Sequence, residues 1–173
     1  MQSNRVRVLA AVLFVLIVTV ATRGQQQRQP PDPAKALSGQ VTFITKQVLD
    51  MAEDFPAEKY EFKATPEVRS FREVIVHAMS GTVYAAKAGR GENVQWSELD
   101  ANNYKDKAAV VEAFKKAAAD LDASLKATPA TRFAASPEPW LSVVEHTGEH
   151  YGQLVVYYRL NKMVPPASRP KKK

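Results

Sequence analysis

The chain has 173 residues, 45% of them hydrophobic and 24% charged, with no cysteine and a formal net charge of +6. That length allows one domain with its own core, and the lack of cysteine excludes a disulfide framework and a thiol nucleophile. The positive balance does not describe a basic groove: apart from Arg5, Arg7, Arg169, Lys171, Lys172 and Lys173 at the two ends, the remaining 18 Lys and Arg equal the 18 Asp and Glu, so a nucleic-acid partner is not expected.

At the N-terminus, Arg5 and Arg7 precede an apolar run from Val8 to Ala21, and Thr19-Val20-Ala21 supplies a small residue for cleavage. Residues 1–21 read as a secretory signal peptide. The run is shorter than the roughly 20 residues of a membrane-spanning helix, which favours a cleaved signal over an anchor. The mature protein is therefore expected to be exported, periplasmic or secreted, without stable membrane insertion. Residues 22–33 are rich in Gln, Arg and Pro and suit a flexible linker. At the other end, 169–173 form a basic tail, whose Lys171–Lys173 run suits a solvated end.

Between these ends, four amphipathic segments follow in order. Leu37, Val41, Ile44, Val48, Met51, Ala52 and Phe55 recur at helical spacing over about Pro33–Phe55. Thr65-Pro66-Glu67 offers an N-cap, a first-turn proline and an acid for a second helix ending near Ala88, before Gly89-Arg90-Gly91. A short extended piece at Tyr60-Glu61-Phe62 separates the two. The third helix is predicted over Asp106–Lys126, with Val110, Val111, Phe114, Ala118, Leu121 and Leu125 on one side, and is expected to be the most exposed. Ser136-Pro137 opens a fourth over Pro137–Asn161 that is apolar nearly all round and is expected to be buried. The reading is all-α, a four-helix bundle spanning residues 34–168.

The chemistry concentrates in the chain's three histidines. His146 and His150 stand four apart, on one helical face, with Cβ atoms roughly 5–6 Å apart. His77 lies mid-way along the second helix, and packing that helix beside the fourth brings a third imidazole to the pair. Three protein ligands with one position left open is the pattern of a catalytic metal site. Without an ion, side-by-side buried imidazoles would each need a hydrogen-bond partner. The set accepts Zn²⁺, with Ni²⁺, Fe²⁺ or Cu²⁺ as other candidates.

Around this set, Glu149 is a candidate general base, because His146-Thr147-Gly148-Glu149-His150 matches the inverted zinc-peptidase pattern. The chain has no Asp or Glu after His150 to complete that motif, and a solvated helix acid is the competing reading. Glu73 is a candidate to orient His77, and Gln153 and Tyr157 are candidate pocket groups. Tyr84, Trp96, Trp140, Tyr151 and Tyr157 are candidates for a pocket mouth, with core packing as the alternative for each. Gly148 and Gly152 suggest close approach of a second helix or of substrate to the last helix.

Taken together, Tyr60 through Phe71, Val76-His77, His146-x-x-x-His150-Tyr151-Gly152-Gln153-Leu154 and Tyr158-Arg159-Leu160-Asn161 before Val164-Pro165-Pro166 resemble the DinB-like (YfiT-like) family of metal-dependent enzymes. The resemblance implies a four-helix bundle of up-down-down-up connectivity. It also implies a metal held by one histidine of the second helix and an H-x-x-x-H pair of the last, which fall here on His77, His146 and His150. Family members include transferases that use a low-molecular-weight thiol, and homodimers are common among them. The expectation is an exported, bacterial-type metal-dependent hydrolase or thiol-dependent transferase acting on a small molecule. The alternative is a non-enzymatic metal-binding helical module of the cell envelope.

Overall fold

The computed structural model describes residues 32–170. The expected signal peptide, all but the last two residues of the expected linker, and Lys171–Lys173 lie outside the described residues. Five helices make up the domain: α1 (Pro33–Asp54), α2 (Phe71–Gly89), α3 (Lys107–Ala127), α4 (Ala130–Ala135) and α5 (Glu138–Leu160). No strand occurs among the described residues, and none of these helices is long and apolar enough to cross a membrane.

Local chemistry sets the boundaries. Asp32 caps α1 by accepting from the Ala34 amide at 3.0 Å, with Pro33 in the first turn, and α1 ends one residue before the extended Phe55-Pro56. The second helix does not start at Thr65-Pro66, which sit in a bend and turn. It starts after Ser70, whose hydroxyl accepts from the Glu73 amide while the Glu73 carboxylate accepts from the Ser70 amide. This reciprocal pair satisfies two donors at once. The amides of Phe71 and Arg72 donate to the carbonyls of Phe62 and Tyr60, at 3.0 and 2.9 Å, so the helix entry leaves few open donors. Tyr60-Glu61-Phe62 is accordingly not extended; Tyr60 has helical dihedrals and closes the 3₁₀ turn Ala57–Lys59.

Asp106 caps α3 through the Ala109 amide at 2.8 Å. The six-residue α4 lays Phe133 against Trp140, with ring centroids 4.3 Å apart. The last helix, α5, is not buried all round: Leu141, Val156 and Leu160 are exposed. Nothing lies within 4 Å of a Cβ built at Gly148 or Gly152, so no other helix among the described residues approaches them. α3 buries Val110, Phe114, Ala117, Leu121, Ser124 and Leu125, and α1 buries Val41, Thr45, Val48, Met51 and Ala52, so these two helices are about equally exposed.

The bundle has up-down-down-up connectivity, read from which ends meet. Phe55 after α1 stacks on Phe71 at the start of α2, with centroids 3.8 Å apart, so these two run oppositely. Ser124 near the end of α3 donates to the Ala86 carbonyl near the end of α2, so α2 and α3 are parallel. Tyr158 near the end of α5 donates to the Met51 carbonyl near the end of α1, so α1 and α5 are parallel. One apolar cluster gathers Phe55, Phe71, Phe114, Tyr157 and Tyr158 at one end; a second gathers Val41, Leu121, Phe133, Trp140 and Val143 at the other.

This connectivity has a consequence for the surface of α2. Because α2 and α3 are parallel, the chain after Gly89 must return along the whole of α2, whose 19 residues span about 28 Å. A nearly extended stretch achieves that return. It is pinned where the Leu99 amide donates to the Ser80 hydroxyl at 3.0 Å, and it passes over the face of α2 that carries His77. Arg169, the first residue of the basic tail, is tied to the bundle: its guanidinium donates to both carboxylate oxygens of Asp54, at 2.7 and 2.5 Å.

Candidate metal centre

His77 on α2 and His146 and His150 on α5 meet between the two apolar clusters, each offering one ring nitrogen within 4.8 Å of the others. His150 is buried, and His77 and His146 are half-buried. The antiparallel pairing of α2 with α5 places His77 opposite the turn that separates His146 from His150, which is why a lone histidine and a pair four residues apart reach one point.

Hydrogen bonds decide which nitrogen His77 and His150 present. Nδ1 of His77 lies 2.9 Å from Oε1 of Glu98, and Nδ1 of His150 lies 3.0 Å from Oε1 of Gln153. An acceptor at Nδ1 requires the proton there, leaving the lone pair on Nε2. Nε2 of His77 faces Nε2 of His146 across 3.1 Å. The Nδ1 of His146 is buried without a hydrogen-bond partner.

This donor set fits a divalent ion. Ligand nitrogens around a tetrahedral ion at ~2.0–2.1 Å stand roughly 3.4 Å apart, close to the His77–His146 separation. Carboxylate and amide oxygens behind ligating imidazoles are the usual means of fixing their tautomer and orientation.

The electrostatics favour the neutral form of His146 and His77. Burial pushes the His146 imidazole down to about 4, helped by its neighbours His150 and His77 and by Arg69. Burial also lowers His77 below its ordinary value, against the opposing hydrogen bond that its Nδ1 donates to Glu98. Burial pulls the Glu98 carboxyl up, but the His77 hydrogen bond and the Arg69 charge outweigh it and hold it below the usual range. Arg69 donates to Oε1 of Glu98 at 3.2 Å, the same oxygen that meets His77.

Of the residues singled out around the histidines, Gln153 touches the site directly. Glu73 does not reach His77; it is engaged by the Ser70 amide and faces Lys63 at 3.7 Å. Glu149 is exposed on α5 and has no ion-pair partner among the described residues. Tyr157 is buried, and its hydroxyl donates to the Arg69 carbonyl. Trp140 is buried in the second apolar cluster, and Tyr151 packs on the first. Tyr84 and Trp96 do stand at a cavity beside His146.

Two contributors were not identified from sequence. Glu98 lies in the returning connection, where no periodicity marks it, and only the parallel α2–α3 topology brings it to His77. Gly81 is the other: a Cβ there would stand 2.7 Å from Nδ1 of His146, so the missing side chain makes room for the ring. Its place one turn after His77 was the available signal.

Comparison with known proteins agrees with this geometry. No curated protein matches the chain. The model of the DinB superfamily matches residues 40–157, a span that holds all three histidines and all four long helices apart from short ends of α1 and α5. With an all-helical bundle and a three-histidine group able to hold a metal ion between its second and last helices, this chain belongs to the DinB superfamily.

Proposed function

We propose that the protein is an exported, bacterial-type metal-dependent enzyme, a hydrolase or thiol-dependent transferase that acts on a small molecule at the three-histidine site. The observation that carries this reading is the tautomer pattern. Glu98 and Gln153 hold protons on Nδ1 of His77 and His150, and so turn their Nε2 lone pairs inward beside His146. Lone pairs aimed at one small volume repel one another unless a proton or a cation stands between them, and a cation serves all three rings at once.

His77, His146 and His150 would hold the ion, with Zn²⁺ best suited to three neutral imidazoles and Ni²⁺ or Fe²⁺ as further candidates. The chemistry that such an ion supplies is Lewis-acid activation of a substrate group or of a water molecule. The chain's own residues set the stage for it. Glu98 keeps the proton on Nδ1 of His77, Arg69 keeps Glu98 ionised, and Gln153 fixes the ring plane of His150. Trp96 covers His146, with ring centroids 4.9 Å apart, and limits water on that side. Glu149 would act as a base only on a substrate approaching from the solvent side of α5.

Export rests on residues 1–21, whose two arginines and apolar run have the form of a secretory signal. It favours hydrolysis over thiol transfer, because low-molecular-weight thiols are reductants of the cytoplasm.

The test is metal content of the mature protein recovered from its export route, beside the variant with His77, His146 and His150 all changed to Ala, followed by a substrate screen. About one divalent ion per chain, absent from a still-helical variant, with turnover that chelation abolishes, is the expected result. No ion even after reconstitution, or equal metal in both proteins, overturns it. Bound metal with no exchangeable position and no turnover would instead establish a non-enzymatic module.

A further inference from the structure

Beside the histidines lies a cavity of about 250 Å³ between the first half of α5 and the returning connection. That volume is below the usual ~300–1,000 Å³ of sites for whole drug-sized ligands and suits one end of a small molecule. His146 and Gly81 form its inner end, Trp96 and Tyr84 form a wall, and Glu138 and Glu145 line the side on α5.

The charge and shape of this lining are one-sided. Glu138 and Glu145 are both exposed, and neither has an ion-pair partner among the described residues. No cationic side chain lines the cavity, although ion pairs are frequent elsewhere on the surface, as between Lys115 and Glu53 or Arg90 and Asp120. Glu138 accepts from Ser142 Oγ at 2.8 Å and from the Tyr84 hydroxyl at 3.4 Å, which turns its carboxylate towards the aromatic wall. Tyr84 and Trp96 meet edge to face, with centroids 6.1 Å apart, so the wall is a corner and not a single plane. An acid in the first turn of α5 is favourable for the helix dipole by itself. That does not account for a second carboxylate two turns later on the same cavity as the aromatic corner.

We infer that this cavity is the recognition subsite of the substrate and takes an organic ammonium group, with the rest of the molecule directed past His146 towards the three-histidine centre. Aromatic faces attract a cation through their quadrupole, most strongly when it is partly desolvated. Two carboxylates without protein counter-ions supply the charge that a cation would neutralise. The same lining disfavours an anion, and the guanidinium of Arg69 is engaged with Glu98, neither of which lines the cavity. Only the second half of the inference, where the reacting end lies, rests on the metal-site reading; the ammonium subsite stands on the cavity alone.

The experiment is calorimetric titration of the mature protein with choline, with its neutral isostere 3,3-dimethylbutanol and with the anion 3,3-dimethylbutanoate. Each is run on metal-loaded protein, on chelated protein and on the variant lacking the three histidines. Choline is expected to bind about tenfold or more tightly than either analogue. The advantage should disappear when Glu138→Gln and Glu145→Gln are combined, surface changes that leave the bundle intact. Trp96→Ala should weaken choline, and Trp96→Phe should restore part of the loss. Choline binding that survives in chelated protein, while no metal is ever found, would refute the metal centre and keep the subsite. Absence of choline binding at millimolar concentrations, equal binding of the neutral isostere, preference for the anion, or unchanged affinity in the double Gln variant would each overturn the subsite.

Discussion

Gly81 of α2 lies directly beneath the imidazole of His146, so close that a Cβ on it would stand 2.7 Å from Nδ1 and 3.3 Å from Cε1. The close approach of helix to helix is therefore at Gly81, on the partner of α5, and not at Gly148 or Gly152, which face open space. Gly81→Ala should separate stability from metal binding. The helix itself gains up to about 1 kcal/mol from the replacement, while His146 must move away from His77 and His150. The expected outcome is an unchanged or raised melting temperature with metal affinity reduced by about tenfold or more, measured by competition with a chelator. Full affinity in this variant would mean that His146 is not a ligand.

Glu98 acts on the centre through His77, as a positioning residue. Glu98→Ala should leave the His77 ring free to rotate and lower metal affinity by roughly 10–100-fold. Glu98→Gln retains an acceptor for Nδ1–H but loses the charge that opposes the burial of His77, and should fall between the two. Because Glu98 is exposed, neither change should alter thermal stability of the chelated protein by more than about 0.5 kcal/mol. A purely structural Glu98 predicts the reverse, a loss of stability without loss of metal.

The parts of this molecule that were legible in sequence are those written as periodicity. The four long helices and the meeting of His77 with His146 and His150 follow from apolar stripes and from histidines four apart. The start of α2 was displaced because Thr65-Pro66-Glu67 has the composition of a helix entry, whereas the reciprocal bonds of Ser70 and Glu73 make the actual one. The six residues of α4 are too few to show a period. Apolar content overstated the burial of α5, since composition counts Leu141, Val156 and Leu160 without regard to direction. Glu98 was invisible for another reason: it lies on an irregular connection whose path is dictated by the parallel run of α2 and α3, whereas Trp96 on the same connection was legible only as an aromatic of a pocket mouth.

The Asp54–Arg169 pair ties the end of the chain to α1 and gives stability a component that depends on acid. The Arg169 hydrogen bond, acting against partial burial and aided by the Tyr158 hydroxyl, holds the Asp54 carboxyl below its ordinary value. A carboxyl depressed in the folded protein binds its proton later than in the unfolded chain, so its contribution is present above the unfolded value near 4 and is lost as the pH falls through the folded one. Both partners are partly exposed, which limits the pair to about 1 kcal/mol or less. Arg169→Ala should therefore lower stability by up to that amount at neutral pH in chemical denaturation, and the difference from the parent should close as the pH is taken below the carboxylate range. A constant difference across pH would assign the effect of Arg169 to packing.

Metal removal should act on stability by mass action, because the centre and the core are separate. The three histidines stand between two apolar clusters that are complete without them, one built on Phe55, Phe71, Phe114 and Tyr158 and the other on Trp140, Phe133 and Leu121. The chelated protein should accordingly remain folded, unlike a small zinc domain whose core is the metal. An ion present at about 100 times its dissociation constant adds about 2.7 kcal/mol, which for a domain of this size raises the melting temperature by roughly 5–10 °C. The expected pattern is a melting temperature that climbs with free Zn²⁺ in the parent and is independent of Zn²⁺ when His77, His146 and His150 are all Ala. Burial pushes the His146 imidazole down to about 4, so protons should compete little with the ion at that position until the solution is well below neutrality. A triple variant that is unfolded without metal would show that the ion is part of the core after all and would favour a structural centre over a catalytic one.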